Sequence, residues 1–262
     1  MNKKNIIIGN WKCNPPTQRE AESLIREVKK NIKYVKNVEI VIAPPFIYLP
    51  LLLDRISKGS KKRESILKVG AQNCFWENTG PFTGEVSALM LQDLGVEYVI
   101  LGHSERREYF NEGYDVVAKK IKATLKNKLS PILCVGETKE RRRNKRIERT
   151  LKTQLRIALA PITDYSSSIT NLVITYEPIW AVGTGNFCPP NEAKNVLMFI
   201  KKELIKFLPR EVSQNIRILY GGSVDSENAK AYIDVGFQGF IVGGASLIPR
   251  EFTKIIKLCN IY

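Results

Sequence analysis

Histidine is almost missing from this chain of 262 residues: His103 stands alone, so a metal centre built on several imidazoles is excluded. Cysteine is scattered over Cys13, Cys74, Cys134, Cys188 and Cys259, an odd number with no Cys-x-x-Cys pair. That pattern is neither a disulfide framework nor a zinc ribbon, and it fits a reducing compartment. Apolar runs are short. The one in MNKKNIIIGNW is too brief for a secretory signal, and none approaches the roughly 20 residues of a membrane span. The expectation is a cytoplasmic protein with no membrane partner. Acidic residues are outnumbered, 26 against 41 lysines and arginines, leaving a net charge of +15. Such an excess attracts phosphorylated metabolites, acidic surfaces or nucleic acid, and it equally serves solubility.

Hydrophobic residues make up 44% of the chain and charged residues 26%, a composition of folded rather than disordered proteins. Short β-rich runs recur: NIIIGN (5–10), VEIVIA (38–43), ILKVGA (66–71), EYVILG (97–102), PILCVG (131–136), NLVITY (171–176), IRILYG (216–221) and QGFIVG (238–243). Amphipathic stretches lie between them, as at 18–32, 115–129 and 191–208. In the last, the spacing predicts a face of Val196, Phe199, Ile200, Ile205 and Leu208. Strands that alternate with helices are parallel, because each crossover needs a helix. Eight such units in this length fit a (β/α)8 barrel, one α/β domain over residues 1–262. An open doubly wound sheet would place G-x-G-x-x-G after its first strand, where this chain has GNWKCNPP. The stretch 57–65 reads as a basic surface loop, and KERRRNKRIER (139–149) as an exposed, charged start of a helix rather than a binding tract.

In such a barrel the chemistry belongs to the C-terminal ends of the strands. Asn10 and Lys12 follow the first strand, where a lysine is either surface filler or a fixed cation at the mouth. His103 follows the fourth, either a satisfied core histidine or a hydrogen-bond donor. Ser104 and Glu105 beside it open a helix, and a helix N-terminus disfavours an imidazolium. Glu177 follows the sixth. Pro178 forces it out of helical geometry, so the carboxylate should aim into the mouth. After it, IWAVGTGN with Gly183 and Gly185 reads as either a plain loop or a lid that expels water on closing. The seventh and eighth strands end in YGGSV and VGGASL, where main-chain N–H groups with Ser223, Gly243 and Gly244 can cradle a phosphate.

Together GNWKCN, GPFTGE, GHSERR, CVGET, YEPIWAVGTGN, YGGSV and VGGASL, in this order from Gly9 to Leu247, resemble the triosephosphate isomerase family. The resemblance implies a (β/α)8 TIM barrel that interconverts dihydroxyacetone phosphate and D-glyceraldehyde 3-phosphate with no metal and no organic cofactor. It makes Glu177 the base, His103 a neutral donor to the carbonyl, Lys12 the cation and Asn10 its orienting group, with Glu105 supporting Lys12. It makes Gly183, Ser223, Gly243 and Gly244 the phosphate grip. It also implies a homodimer, with the 72–85 loop inserted into the partner so that Thr83 nears the other Asn10. The far end of the lid departs from the family pattern: Asn186, Phe187 and Cys188 replace lysine, threonine and alanine. Two other readings compete. Another phosphate-binding barrel enzyme, an aldolase or lyase, would want a late strand-end lysine, and the sixth place holds Glu177. A nucleic-acid-binding protein would interleave aromatic with basic residues, which 139–149 does not.

Overall fold

The computed structural model describes residues 3–57, 66–162, 169 and 171–260. Eight parallel strands close into a barrel in sequence order: β1 Asn5–Asn10, β2 Val38–Ala43, β3 Leu67–Ala71, β4 Tyr98–Leu101, β5 Ser130–Val135, β6 Val173–Tyr176, β7 Arg217–Tyr220 and β8 Gly239–Val242. Closure comes from β8 pairing with β1, Ile6 to Gly239 through Gly9 to Val242. Each expected strand is present within a residue or two of its predicted bounds.

The apolar runs are continuous because both strand faces are covered. Alternate residues divide between two cores. Ile6, Ile8, Val41, Ile100, Ile132, Val173, Leu219 and Ile241 pack inside the barrel. Ile7, Ile40, Ile42, Val99, Leu133, Ile174 and Ile218 pack outward against the helices. Gly239, at φ +131°, marks how close two strands come, since a Cβ there would lie 1.8 Å from the Ile6 carbonyl oxygen.

Helices cover the outside. Gln18–Asn31 starts at Thr17, whose hydroxyl accepts from the Glu20 N–H, and buries Ala21, Ile25 and Val28. Pro190–Phe207 carries proline in its first turn, where the missing N–H costs nothing. Its buried face is Ala193, Val196, Leu197, Ile200 and Leu204, while Ile205 is 54% exposed. The predicted face is thus rotated, and Ile205 belongs to solvent. The 139–149 run starts a helix as expected, but that helix, Lys139–Arg143, is short, and a turn with Lys145 at φ 53° separates it from a second, Ile147–Leu159. Of the 57–65 stretch, only Ser57, the last residue of the helix Leu49–Ser57, lies among the described residues. None of the described helices is long and apolar enough to cross a membrane.

Candidate active site

At the end of β1, Asn10 is buried and its Oδ1 accepts from the Lys12 N–H at 3.1 Å. Lys12 sits at φ 54°, a left-handed conformation that costs a lysine energy and needs outside support. Gln72 supplies it: its side-chain amide donates to Lys12 O at 2.9 Å and Ala43 O at 2.8 Å. The Lys12 ammonium then pairs with Glu105 Oε1 at 2.5 Å.

His103 ends the β4 crossing and caps the helix Ser104–Tyr109. The cap is the imidazole itself rather than a side chain of Ser104 or Glu105, because Nδ1 accepts from the Glu105 N–H at 3.3 Å. A nitrogen that accepts carries no hydrogen, so this bond leaves Nε2 as the ring's donor. That Nε2 stands 3.4 Å from Glu177 Oε1.

Glu177 departs from expectation in one respect. The carboxylate is buried instead of aimed into the mouth: Oε2 accepts from the Ser104 N–H at 3.1 Å, and Oε1 has no hydrogen-bond partner among the described residues. The backbone amid which it sits is tightly set. Glu177 N donates to Val135 O at 2.7 Å, and a Cβ on Gly136 would fall 1.6 Å from Glu177 O. Arg107 clamps the ends of β4 and β5, with Nε on Gly102 O and Nη2 on Cys134 O. Burial first, and then the Glu177 charge, push the Cys134 thiol well above its usual pKa.

Seven of the predicted residues line one cavity of about 260 Å³: Asn10, Lys12, His103, Gly183, Ser223, Gly243 and Gly244. Glu105 and Glu177 lie outside that lining and touch it through Lys12 and His103. A larger hollow of about 580 Å³ lies around Lys4, Asn5 and Gln238, but it gathers no acid and no imidazole. Gly183 and Gly185 have φ of 68° and 75°, which only glycine adopts freely. Ser223 Oγ donates to Ala181 O at 2.7 Å and so ties the β7 loop to the lid root.

A profile of the triosephosphate isomerase family matches residues 5–259. The chain belongs to the triosephosphate isomerase family. Triosephosphate isomerase of Carboxydothermus hydrogenoformans is 43% identical over 97% of this chain and 98% of its own. That of Thermodesulfovibrio yellowstonii is 44% identical over 97% and 99%, and that of Alkaliphilus oremlandii 42% over the same shares.

Within this family member, several supporting residues escape a reading of the letters. Gln72 lies in a stretch read as a partner loop. Ser104 and Arg107 lie inside GHSERR, and Cys134 and Glu137 inside CVGET, so the motifs held them without revealing their tasks. Glu137 is fully buried; its Oε1 accepts from Trp180 Nε1 at 2.8 Å and the Tyr176 hydroxyl at 3.2 Å. Burial raises its pKa, and those two bonds only partly offset the rise. At the far end of the lid, Cys188 is fully buried. Its N–H donates to the Tyr220 hydroxyl at 3.1 Å, and its carbonyl accepts from Tyr232 at 2.6 Å. The substituted residue thus fits an enclosed, doubly bonded place, while Phe187 is 51% exposed.

Proposed function

We propose that this chain interconverts dihydroxyacetone phosphate and D-glyceraldehyde 3-phosphate by proton transfer through an enediolate. The observation that carries the reading is the meeting of Lys12, His103 and Glu177, from three distant strand ends, around one small glycine-lined cavity. The phosphate sits against the N–H groups at Gly183, Gly243 and Gly244 with Ser223, and Lys12 adds positive charge. Glu177 leaves the Ser104 N–H, swings toward the substrate and takes a proton from the carbon beside the carbonyl. The C–H electron pair becomes the new C=C bond, and the carbonyl pair moves onto oxygen. His103 Nε2–H and the Lys12 ammonium stabilise that oxyanion. His103 Nε2–H protonates that oxygen and Nε2 takes the proton of the adjacent hydroxyl, whose O–H pair becomes the new C=O, while Glu177 returns its proton to the neighbouring carbon. Lid closure removes water, which strengthens these electrostatic contacts and protects the enediolate from losing phosphate.

The test is a coupled assay with glyceraldehyde 3-phosphate. Glu177→Ala should lower turnover by about 10³-fold or more with unchanged circular dichroism; equal rates would remove Glu177 from the mechanism.

The active unit is a homodimer held through the 72–85 loop, in a cytoplasmic setting. Support lies in the loop's order and its outward apolar surface. Phe75 N bonds Val86 O, and Phe82, 39% exposed, tilts against Phe75 at 4.6 Å between ring centres. Ile47 and Met90 are exposed as well, at 76% and 53%. Sedimentation should give a dimer; a fully active monomer contradicts the loop's role.

A further inference from the structure

The 139–149 run holds seven basic residues and two acidic ones, and the two-helix break gives it a shape that one helix would not have. At the break, Arg146 N–H donates to Arg141 O at 2.8 Å and Lys145 N–H to Arg142 O at 3.0 Å, closing the first helix on itself. The closure sets Arg146 back beside Arg141. Arg149 follows three residues later on the second helix, about one turn on. With Tyr114, Thr150 and Thr153 these three arginines line a cavity of about 340 Å³ that shares no residue with the catalytic one.

The charges there lack answers. Among the described residues Arg146 and Arg149 have no ion pair, and Arg141 has only the Tyr114 hydroxyl, which accepts from its Nη1 at 2.7 Å. Tyr114 can still donate its own hydrogen. Arg142 is not part of this set, since it pairs with Glu192 and lies over the Trp180 ring. The 13-residue helix Ile147–Leu159 adds an N-terminal turn whose free N–H groups receive no side-chain cap. The nearby acids, Glu140 and Glu148, are exposed and line no part of the cavity.

We propose that this cavity is a second anion site, built for a compact molecule carrying a pyrophosphate group. Guanidinium groups bind phosphate oxygens through paired hydrogen bonds, and three of them bring a charge of three. A phosphate monoester carries about −1.5 to −2 and leaves part of that unanswered. Two linked phosphates match it better. A cavity of this size holds a small molecule and not a strand of nucleic acid, and Tyr114 is the one aromatic ring in its lining.

The experiment is equilibrium dialysis of inorganic pyrophosphate against the full chain at low salt, with dihydroxyacetone phosphate saturating to fill the catalytic cavity. The comparison is the R146E/R149E variant. Both positions are exposed; Arg146 caps the helix with no side-chain bond to lose, and glutamate at Arg149, in the first turn, favours the helix. Expected are one pyrophosphate per wild-type chain, about 100-fold weaker binding in the variant, at least tenfold tighter binding than inorganic phosphate, and unchanged turnover in the variant. Equal affinity in wild type and variant overturns the proposal, as does binding that disappears when triose phosphate saturates. Equal affinity for phosphate and pyrophosphate overturns the ligand class, and so does tighter binding of a single-stranded RNA 12-mer.

Discussion

Replacing Glu39 with glutamine tests how the base of the barrel is held. Glu39 on β2 lies at the strand end opposite the catalytic cavity. Its Oε2 accepts from Arg217 Nη1 at 2.5 Å, and its Oε1 meets the Tyr98 hydroxyl at 2.6 Å and Lys68 Nζ at 2.7 Å. Burial pushes its carboxyl up, but the Arg217 charge and the bonds from Lys68, Tyr98 and Arg217 outweigh it and hold the pKa at about 2, against 4.5 unperturbed. A lowered folded pKa means that the unfolded chain binds more protons between those values. The stability gained is therefore complete above pH 4.5 and is lost as pH falls toward 2. At 1.36 kcal/mol per unit, it amounts to about 3 kcal/mol. Urea unfolding followed by circular dichroism, from pH 7 down to pH 2, reads this directly. Glu39→Gln should be about 3 kcal/mol less stable than wild type from pH 7 to about 5, and the gap should shrink as the wild-type carboxylate protonates. A gap that stays constant to pH 2 refutes the argument, because the loss would then owe nothing to charge.

Three further outcomes follow from the geometry. Gly136→Ala puts a Cβ where Glu177 O now lies, so the β6 end must shift; a displacement of about 1 Å should cost about 10²-fold in kcat, and wild-type kinetics would contradict it. Trp180→Phe removes a donor to the buried Glu137 carboxylate, at about 1.5–3 kcal/mol for the charged form. Because the Glu137 pKa is raised, its contribution is greatest below the ordinary carboxylate pKa and lost as pH rises, so this variant should melt closer to wild type as pH falls to about 4 than at pH 8. Lys145→Gly relieves a left-handed lysine and should stabilise the chain by up to about 1 kcal/mol in thermal unfolding; destabilisation would place the strain elsewhere.

The eight strands were legible because burial on both faces leaves them mostly apolar, with the few polar residues, such as Glu39, Lys68 and Arg217, near their starts, and such runs end abruptly at turns. Strand-end residues were legible for the same reason: once the strands are counted, Lys12, His103 and Glu177 fall at the mouth. The helix Pro190–Phe207 was less so. It carries apolar residues around more than one face, with Met198 and Ile205 exposed beside buried Leu197 and Leu204, and only the barrel surface chooses between them. The break at Lys145 had no glycine or proline to announce it. The aim of Glu177 could not be read either, since a proline fixes the backbone around a carboxylate and not its side-chain torsions. The Glu39, Lys68, Tyr98 and Arg217 cluster draws on four strands and has no local pattern at all.

Two buried carboxylates toward opposite ends of the barrel are answered in opposite ways, and that difference divides stability from chemistry. Both oxygens of Glu39 are bonded, and the partners are cations or a hydroxyl donor. Such a group is held in one place and one charge state. At the catalytic end, Glu177 Oε1 and Glu137 Oε2 have no bonded partner among the described residues, and Arg107 Nη1 is likewise unmatched. A buried polar atom without a partner costs about 1–3 kcal/mol, a cost the closed barrel and its doubled core can carry. What it leaves is a carboxylate bonded through one oxygen, beside an imidazole whose free N–H faces the same space. Adding a good donor to Glu177 Oε1 should therefore stabilise the fold and slow the reaction, because a base whose lone pairs are all occupied is weaker toward carbon.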